Sequence, residues 1–336
     1  MEKKLSIVCI TYNQAKFIRQ CLDSFLMQET DFKYEVLIND DASTDGTKEI
    51  IEEYAKKYPD IIKPVLRDEN IGAIRNFVDT LSRVKTKYAA VCEGDDYWTD
   101  KNKLQKQVDF LETHPEYSGC FHPVRVVWEN KENEDSVFPT AKMIGKKKFV
   151  TKEDMLKCNY IQTNSVVYRW RFTDTDIKEI FPMGILPGDW YLHLLHAQTG
   201  KIAYLPDIMA DYRKQSGGIW YDGKNIQLKY GVESTKFYYS VWKNFTESSG
   251  KYLHRTFLPV LKSISDNYYK NDKYDKLKEL KDAYGELYIQ AINTDDTLKK
   301  YKKYKKLANI FIIISVLALV LNLLQFLYFL TSSLSG

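Results

Sequence analysis

The sequence predicts an α/β fold with a doubly wound, mostly parallel sheet, followed by a helical region and a terminal apolar segment. Three observations predict it: short apolar runs alternate with amphipathic stretches, polar clusters end the apolar runs, and residues 307–330 carry no charge. The 336 residues are enough for one large or two modest domains. Ligands bind beyond the carboxyl ends of the strands in such sheets, so we expect the functional site there.

Four buried strands alternate with three helices in the first hundred residues. The strands are predicted at residues 5–10, 34–38, 63–66 and 88–92. The stretches between them carry apolar residues at helical spacing, which is typical of successive βαβ units.

Polar side chains follow three of these strands. Thr11 ends the first strand, Asp41 follows the second, and Glu93, Asp95 and Asp96 follow the fourth. Adjacent carboxylates repel each other unless a cation, a basic side chain or a proton compensates. Mg²⁺ takes one or two carboxylates together with phosphate oxygens, so a metal–diphosphate site is one interpretation of the acids. A solvated acidic turn is the other, and these residues alone do not decide between them. No Gly-rich phosphate-binding loop occurs in the sequence.

Four segments in this order and spacing resemble the N-terminal half of family 2 glycosyltransferases of the GT-A fold. They are L-S-I-V-C-I-T-Y-N, N-D-D-A-S-T-D-G-T, N-I-G-A-I-R-N and E-G-D-D-Y-W. Ile10 stands where such enzymes usually have proline, and Glu93 leads the acidic motif. The resemblance implies Mn²⁺ or Mg²⁺ at Asp95 and Asp96. It does not tell which of the three acids contacts the metal and which contacts the ribose. The residues that it implies for binding the nucleotide-sugar donor are Thr11, Tyr12, Asn13, Asp41, Arg75, Asn76, Asp95, Arg213 and Lys214.

A second chemical centre is predicted at Asp189, which follows Gly188 and begins an apolar helical stretch. An acid at this place also suits the first turn of any helix, where it stabilises the exposed N–H groups. The resemblance implies instead that Asp189 is the catalytic base. His193 and His196 share the same helix, and without an acid at ligand spacing we interpret them as packing or surface residues. Gln215 lies in a predicted closing loop, where many relatives carry a metal-binding His.

The middle of the chain is predicted to complete the same domain. We expect a helix at 104–111, a strand at 124–128, a long loop or lid at 129–148 and a strand at 161–169. The predicted organisation is a donor-binding half at 1–100, an acceptor-binding and catalytic half at 101–224, a helical subdomain at 225–306 and a membrane helix at 307–330.

The C-terminal segment predicts membrane attachment. Residues 299–306 contain six lysines, which is more positive charge than the net +4 of the whole chain. The rest of the chain is therefore close to neutral, and it shows no basic face of the kind that binds nucleic acid. The uncharged segment 307–330 is long enough to span a bilayer as a helix, with a helix lying in the interface as the alternative. Lysines on its N-terminal flank favour the cytoplasmic face and binding to anionic lipids.

These features predict an inverting glycosyltransferase that moves a sugar from a nucleotide diphosphate sugar to a membrane-linked saccharide. The resemblance implies UDP, with dTDP and GDP as alternatives, and a polyprenyl-linked or polysaccharide acceptor in surface glycan assembly. Two other functions are weighed against it: a sugar-nucleotide nucleotidyltransferase, whose Gly-rich loop is missing here, and a non-catalytic, membrane-tethered binding module. The sequence leaves the sugar, the linkage and the oligomeric state open.

Overall fold

The computed structural model describes residues 3–131, 133–221, 223 and 225–293, and these residues adopt an α/β fold. The strands in this part of the chain are β1 (Lys3–Thr11), β2 (Lys33–Asp40), β3 (Ile62–Leu66), β4 (Tyr88–Val91), β5 (Tyr97–Trp98), β6 (Tyr117–Phe121), β7 (Val124–Trp128), β8 (Ser136–Phe138), β9 (Phe149–Val150), β10 (Val167–Arg169), β11 (Lys201–Tyr204) and β12 (Ala210–Lys214). The helices are α1 (Ile18–Leu26), α2 (Thr47–Lys57), α3 (Ala73–Leu81), α4 (Lys103–Thr113), α5 (Ala141–Ile144), α6 (Lys152–Met155), α7 (Ile177–Ile180), α8 (Gly188–Ala197), α9 (Ile226–Phe245), α10 (Gly250–Tyr252), α11 (Leu258–Lys270) and α12 (Tyr274–Asn293).

The large sheet is mixed, whereas the sequence predicts a mostly parallel one. Its eight strands lie in the order β3-β2-β1-β4-β10-β6-β11-β9. The first four are parallel, as predicted from the βαβ units. β10 then runs antiparallel to both β4 and β6. The direction of β10 depends on partners far away in sequence, which local hydrophobic patterns do not specify.

A second, smaller sheet contains the strand that follows the acidic motif. Its order is β5-β12-β7-β8, and it pairs the strand after the acidic motif with β12. The predicted strand at 124–128 is confirmed as β7. The predicted loop at 129–148 contains β8 and α5, and the predicted strand at 161–169 is a 3₁₀ turn at Thr163–Ser165 followed by the shorter β10.

Two apolar layers cover opposite faces of the large sheet. One face of β1 directs Leu5, Ile7 and Cys9 into a cluster with buried side chains of α1, α2 and α4. The other face directs Val8 into a cluster with buried side chains of α3, α8 and α9. Side chains alternate between the faces of a strand, so one apolar strand contributes to both layers. This arrangement is the expected doubly wound fold.

The chain divides into two compact units, of which the first ends at Leu253 and the second begins at His254. The first unit includes α9, which our prediction assigns to a separate helical subdomain starting at residue 225. Aromatic contacts hold α9 to α8, with ring centroids 5.0 Å apart for both Trp190–Phe237 and Tyr191–Phe245. In the described part of the second unit, α11 and α12 pack against each other. Within the described ranges no helix is long and apolar enough to cross a bilayer, and segments 299–306 and 307–330 lie outside those ranges.

Candidate functional site

The carboxyl ends of β1 and β2 meet at one edge of the large sheet. The backbone N–H of Asp41 donates to the carbonyl of Thr11 at 3.0 Å. Asn13 joins the two ends further, because its N–H donates to Ser43 Oγ and its Oδ1 accepts from Thr44 N. Asn13 adopts φ of 52°, a left-handed conformation that asparagine tolerates better than most residues. The side chain of Asn13 thus shapes the edge, and the predicted contact with the donor stays a prediction.

The side chains predicted to contact the nucleotide base differ in their exposure and in their hydrogen bonds. Tyr12 is 49% exposed, so its ring is free to stack on a flat ligand. The hydroxyl of Thr11 is buried and lacks a hydrogen-bond partner in the described structure. The two carboxylate oxygens of Asp41 accept from the N–H groups of Ile71 and Gly72, both at 2.9 Å. The ring of Tyr12 is therefore available to a ligand, whereas the hydroxyl of Thr11 is buried without a partner.

Asn76 and Arg75 lie at the start of α3 but differ in environment. Asn76 is buried, its amide donates to the carbonyl of Asn39, and its oxygen accepts from Arg67 Nε. Through these hydrogen bonds the side chain of Asn76 holds α3 against β2. Arg75 is exposed. The predicted contacts of both residues with base or diphosphate stay predictions, and Arg67 is an additional cation that the sequence analysis does not single out.

The acidic motif lies at the same edge because β4 pairs with β1. The N–H of Gly94 donates to the carbonyl of Ile10 at 3.0 Å. A Cβ atom at residue 94 would lie only 2.5 Å from Gln14 Oε1 and 2.9 Å from Thr11 Cβ. Glycine is therefore required for this close approach. The three predicted strand ends, at Thr11, Asp41 and the acids, converge as expected from a parallel arrangement.

Four carboxyl groups at this edge perturb one another. Burial raises the pKa of Glu93 to about 8, with further contributions from the charges of Asp95 and Asp189. Burial also raises the pKa of Asp95 and holds that of Asp96 well above its usual value. The pKa of Asp189 is raised by burial as well. Without a cation, burial and mutual repulsion favour the protonated forms of these acids, and a bound cation would stabilise their ionised forms.

Arg213 organises the acidic motif through several contacts. Its backbone N–H donates to Asp96 Oδ1 and its Nε donates to the backbone carbonyl of Asp95, both at 2.8 Å. The guanidinium also pairs with Glu129 at 3.2 Å and donates to Gln20 at 2.7 Å. These partners occupy the guanidinium, so Arg213 shapes the acidic motif. Its predicted contact with diphosphate stays a prediction.

Lys214 is the better placed cation. Its Nζ donates to the backbone carbonyl of Trp220 at 2.8 Å, and it takes part in none of the ion pairs found among the described residues. Burial lowers its pKa, while the charge of Asp96 raises it. An ammonium group near the acids and bonded to a neutral carbonyl can still attract phosphate oxygens.

Gln215 connects the closing loop to the acidic motif. Its Oε1 accepts from the backbone N–H of Gly217 at 2.7 Å, and this fixes the orientation of the amide. Its Nε2 therefore faces Asp95 and donates to Oδ2 at 3.2 Å. In this arrangement Gln215 contacts Asp95 through its Nε2 donor, while its Oε1, the atom that could bind a metal, accepts from Gly217. Whether Gln215 takes the place of a metal-binding His stays open.

The residues at this edge fit a divalent cation held by two carboxylates. Asp96 Oδ2 is buried and has no hydrogen-bond partner in the described structure, which leaves an acceptor atom for an ion. The carboxyl group of Glu93 lies close enough to raise the pKa of Asp96 further. No group of three or more His, Cys, Asp or Glu side chains in the described ranges is arranged as a metal site. Two carboxylates together with phosphate oxygens are nevertheless a usual ligand set for Mg²⁺.

Asp189 lies in the first turn of α8, beside the acidic motif. Its Oδ2 accepts from Thr163 Oγ1 at 3.2 Å, and its charge raises the pKa of Glu93. The side chain keeps 21% of its surface exposed, so a substrate hydroxyl can reach it. α8 begins at Gly188, where an added Cβ would lie 2.6 Å from Ile74. The structure thus brings both predicted chemical centres to one site.

Sequence reasoning missed several residues that build this site. Glu129 falls in the predicted loop, Gln20 lies on the outer side of α1, and Gln14 interacts with Asp95 to lower its pKa. Neither spacing nor residue type distinguishes these side chains from ordinary surface residues. His193 and His196 are both buried, so neither is a surface residue.

Known proteins resemble this chain in sequence. The family described as "Glycosyl transferase family 2" matches residues 6–172. "Uncharacterized protein Mb1547" of Mycobacterium bovis is 49% identical over 226 residues, which cover 67% of this chain and 63% of that relative. "Putative teichuronic acid biosynthesis glycosyltransferase TuaG" of Bacillus subtilis is 36% identical over 107 residues, covering 32% of this chain and 41% of TuaG. The matched segment thus spans less than two thirds of each of these two relatives.

Solved structures share the fold at low sequence identity. S. aureus TarS 1–349 in complex with UDP-GlcNAc aligns with a TM-score of 0.52 and 18% identity, covering 84% of this chain and 91% of TarS 1–349. The mannosyltransferase PcManGT from Pyrobaculum calidifontis, in complex with GDP-Man and Mn²⁺, aligns with a TM-score of 0.51 and 16% identity, covering 87% and 84% of the two chains. The strand ends that converge at 11–13, 41 and 93–96, the family match and the named relatives lead to one conclusion. This chain belongs to glycosyltransferase family 2 and has a GT-A-like α/β fold with a mixed sheet and C-terminal helices.

Proposed function

We propose that this protein transfers a hexose, with inversion, from a nucleotide diphosphate sugar to a hydroxyl group of a membrane-linked saccharide. One observation carries this proposal: the partly exposed carboxylate of Asp189 lies beside the acidic motif, yet belongs to a different element. A donor site and a proton acceptor in one cleft are what a single displacement requires.

The strand ends supply the donor site. Tyr12 would stack on the base, and the unpartnered hydroxyl of Thr11 would donate or accept a hydrogen bond there. The carboxylate of Asp41 would accept a hydrogen bond from the donor. Lys214 would attract the diphosphate from the loop side. Asp95 and Asp96 would hold Mn²⁺ or Mg²⁺, which as a Lewis acid stabilises negative charge on a departing diphosphate. The nucleotide sugars named for TarS and PcManGT support a UDP or GDP donor, and the resemblance of the sequence favours UDP.

Asp189 would act as general base. As the acceptor oxygen forms a bond to the anomeric carbon, its proton passes to a carboxylate oxygen of Asp189. The bond from that carbon to the diphosphate oxygen breaks, and the electron pair leaves with the nucleoside diphosphate. Attack from the face opposite the leaving group inverts the anomeric carbon, so no covalent enzyme intermediate is needed. The N–H of Trp190 and the hydroxyl of Thr163 lower the pKa of Asp189 against the effect of burial, and thus help to keep the base ionised.

The proposed acceptor and location follow from the C-terminal sequence. The lysines at 299–306 and the uncharged segment 307–330 support attachment to the cytoplasmic face of a membrane. An enzyme held there can reach a polyprenyl-linked saccharide or a growing polysaccharide. The name of TuaG, which refers to teichuronic acid biosynthesis, supports a role in surface glycan assembly.

The test is release of nucleoside diphosphate from a panel of UDP-, GDP- and dTDP-sugars, with Mn²⁺, with Mg²⁺ and with chelator. We expect one class of donor to be turned over only with metal. Asp189→Asn should abolish turnover and leave nucleotide affinity within about twofold, because a general base acts on the reacting proton and contributes little to ground-state binding. Equal loss of turnover and of nucleotide binding in Asp189→Asn would contradict the base assignment. Silence of the wild type with every donor would favour a non-catalytic binding module.

A further inference from the structure

A buried histidine lies directly behind the proposed base. His193 is one helical turn after Asp189 on α8, and its Nε2 is 3.8 Å from Asp189 Oδ2. Its side chain is only 1% exposed. On the opposite side of the ring, Nδ1 forms a hydrogen bond with the hydroxyl of Tyr168, which lies on β10. The three side chains form a continuous line from the sheet to the cleft.

The contacts define which ring nitrogen carries the hydrogen. Burial lowers the pKa of His193 to about 3, so the ring is neutral and has a single N–H group. Burial holds the pKa of Tyr168 well above its usual value, so its hydroxyl keeps its hydrogen and can donate it to Nδ1. Nε2 lies 3.8 Å from a carboxylate oxygen of Asp189 and has no partner within hydrogen-bond distance in the described structure, and the backbone carbonyl of Ile161 also favours an N–H on this ring. The ring hydrogen therefore belongs on Nε2, where it points toward Asp189.

This N–H group opposes several influences that favour the protonated form of Asp189. Burial raises the pKa of Asp189, and Glu93 approaches it from the end of β4. Tyr212 approaches from β12 and Tyr168 from β10, and both are neutral at ordinary pH because burial raises their pKa values. At 3.8 Å, the N–H of His193 is beyond an ideal hydrogen bond, yet its dipole still stabilises the carboxylate in a poorly solvated position.

We propose that His193 is a positioning residue, held in its Nε2–H tautomer by Tyr168, that keeps the carboxylate of Asp189 oriented and ionised for proton transfer. This inference rests on the proposed function, because it assigns Asp189 the role of base. It adds two residues, His193 and Tyr168, that touch neither donor nor acceptor and act through Asp189.

The test is the pH profile of kcat/KM for donor turnover in His193→Leu, His193→Gln and Tyr168→Phe. Loss of the N–H raises the pKa of Asp189. The acidic limb of the pH profile, where kcat/KM falls as the base becomes protonated, should therefore move up by roughly 0.5 to 1 pH unit in His193→Leu. That shift equals a roughly three- to tenfold loss of kcat/KM below the limb, with recovery at higher pH. His193→Gln should restore the limb, because its amide places an N–H near the position of Nε2. Tyr168→Phe keeps the His193 ring but releases Nδ1, so its limb should move in the same direction as that of His193→Leu.

His196→Phe is the matched control. His196 lies on the same helix and stacks on the Tyr168 ring with centroids 4.0 Å apart. Both of its nitrogens lack hydrogen-bond partners in the described structure, so phenylalanine can replace it without loss of a hydrogen bond. The limb of this variant should not move. A purely structural role for His193 would lower the plateau of kcat/KM in His193→Leu and leave the limb in place, and this result would overturn the inference.

The tautomer can be measured without turnover by nitrogen-15 NMR of histidine-labelled protein. The signal of His193, assigned by its loss in His193→Gln, should show a hydrogen on Nε2 in the wild type and a mixture of tautomers in Tyr168→Phe. A hydrogen on Nδ1 in the wild type overturns the inference even if the enzyme is active. A wild type without turnover overturns the proposed function instead, so the two failures can be told apart.

Discussion

Gly94→Ala tests whether the close approach of β4 to β1 positions the acidic motif. The added Cβ would lie 2.5 Å from Gln14 Oε1, 2.9 Å from Thr11 Cβ and 3.0 Å from Ile18 Cδ1. Carbon atoms in unstrained contact are about 3.5–4.0 Å apart, so the overlap is close to 1 Å on two sides. Gln14 can rotate, but Ile18 is fully buried and the Cβ of Thr11 is fixed by its strand. The backbone at residue 94 must therefore shift.

The expected cost is that of overpacking a dense region, about 1–3 kcal/mol in the free energy of unfolding. Each kcal/mol corresponds to a fall of about 2–4 °C in Tm for a unit of this size. Nucleotide affinity should fall as well, because Gln14 and Asp95 interact and would be displaced together. A displacement worth about 1.4 kcal/mol weakens binding about tenfold.

The assays are thermal unfolding and calorimetric titration with UDP in the presence of Mn²⁺. Gly250→Ala is the matched control, because no atom lies within 4 Å of a Cβ added there and alanine suits a helix. We expect the control to keep the Tm and affinity of the wild type. If Gly94→Ala also kept its Tm within about 1 °C and its affinity unchanged, the argument from close approach would be refuted.

Two further predictions concern charges in the first unit. Measured by calorimetry, chelator should weaken nucleotide binding to the wild type but not to Asp95→Ala, because the variant lacks a metal ligand. Equal affinity of the wild type with and without chelator would exclude the metal role. Burial lowers the pKa of Lys103 to about 7, and its Nζ donates to Gln107 at 2.7 Å. The unfolded chain retains this proton up to about pH 10, so wild-type stability should rise between about pH 7 and 10. Lys103→Met removes this pH dependence. Near pH 6 the wild type buries a charged ammonium group, so the Tm of Lys103→Met should exceed that of the wild type by the largest amount there. The difference in Tm should shrink toward pH 10. A pH-independent difference would mean that the buried amine does not titrate in this range.

The sequence by itself determined the first half of the fold and the polar residues that end its strands. Parallel strands buried on both faces appear as continuous apolar runs. The residues that follow β1, β2 and β4 are polar, and parallel pairing brings such ends together whatever their other contacts. Asp189 was placed by its family resemblance, and its position in the first turn of α8 agrees with the sequence pattern.

Only the tertiary structure decided how the site is supported. The direction of β10, the second sheet and the partners of Arg213 all depend on contacts between distant segments. Arg213 and Gln20, for example, are 193 residues apart in sequence. Tyr168 and His193, which form a hydrogen bond, are 25 residues apart in sequence. The amide of Asn76 likewise donates to the carbonyl of Asn39, a contact that its own sequence neighbourhood does not specify. Hydrophobic periodicity records which face of an element is buried, but the partner of a polar side chain depends on where the chain returns in space.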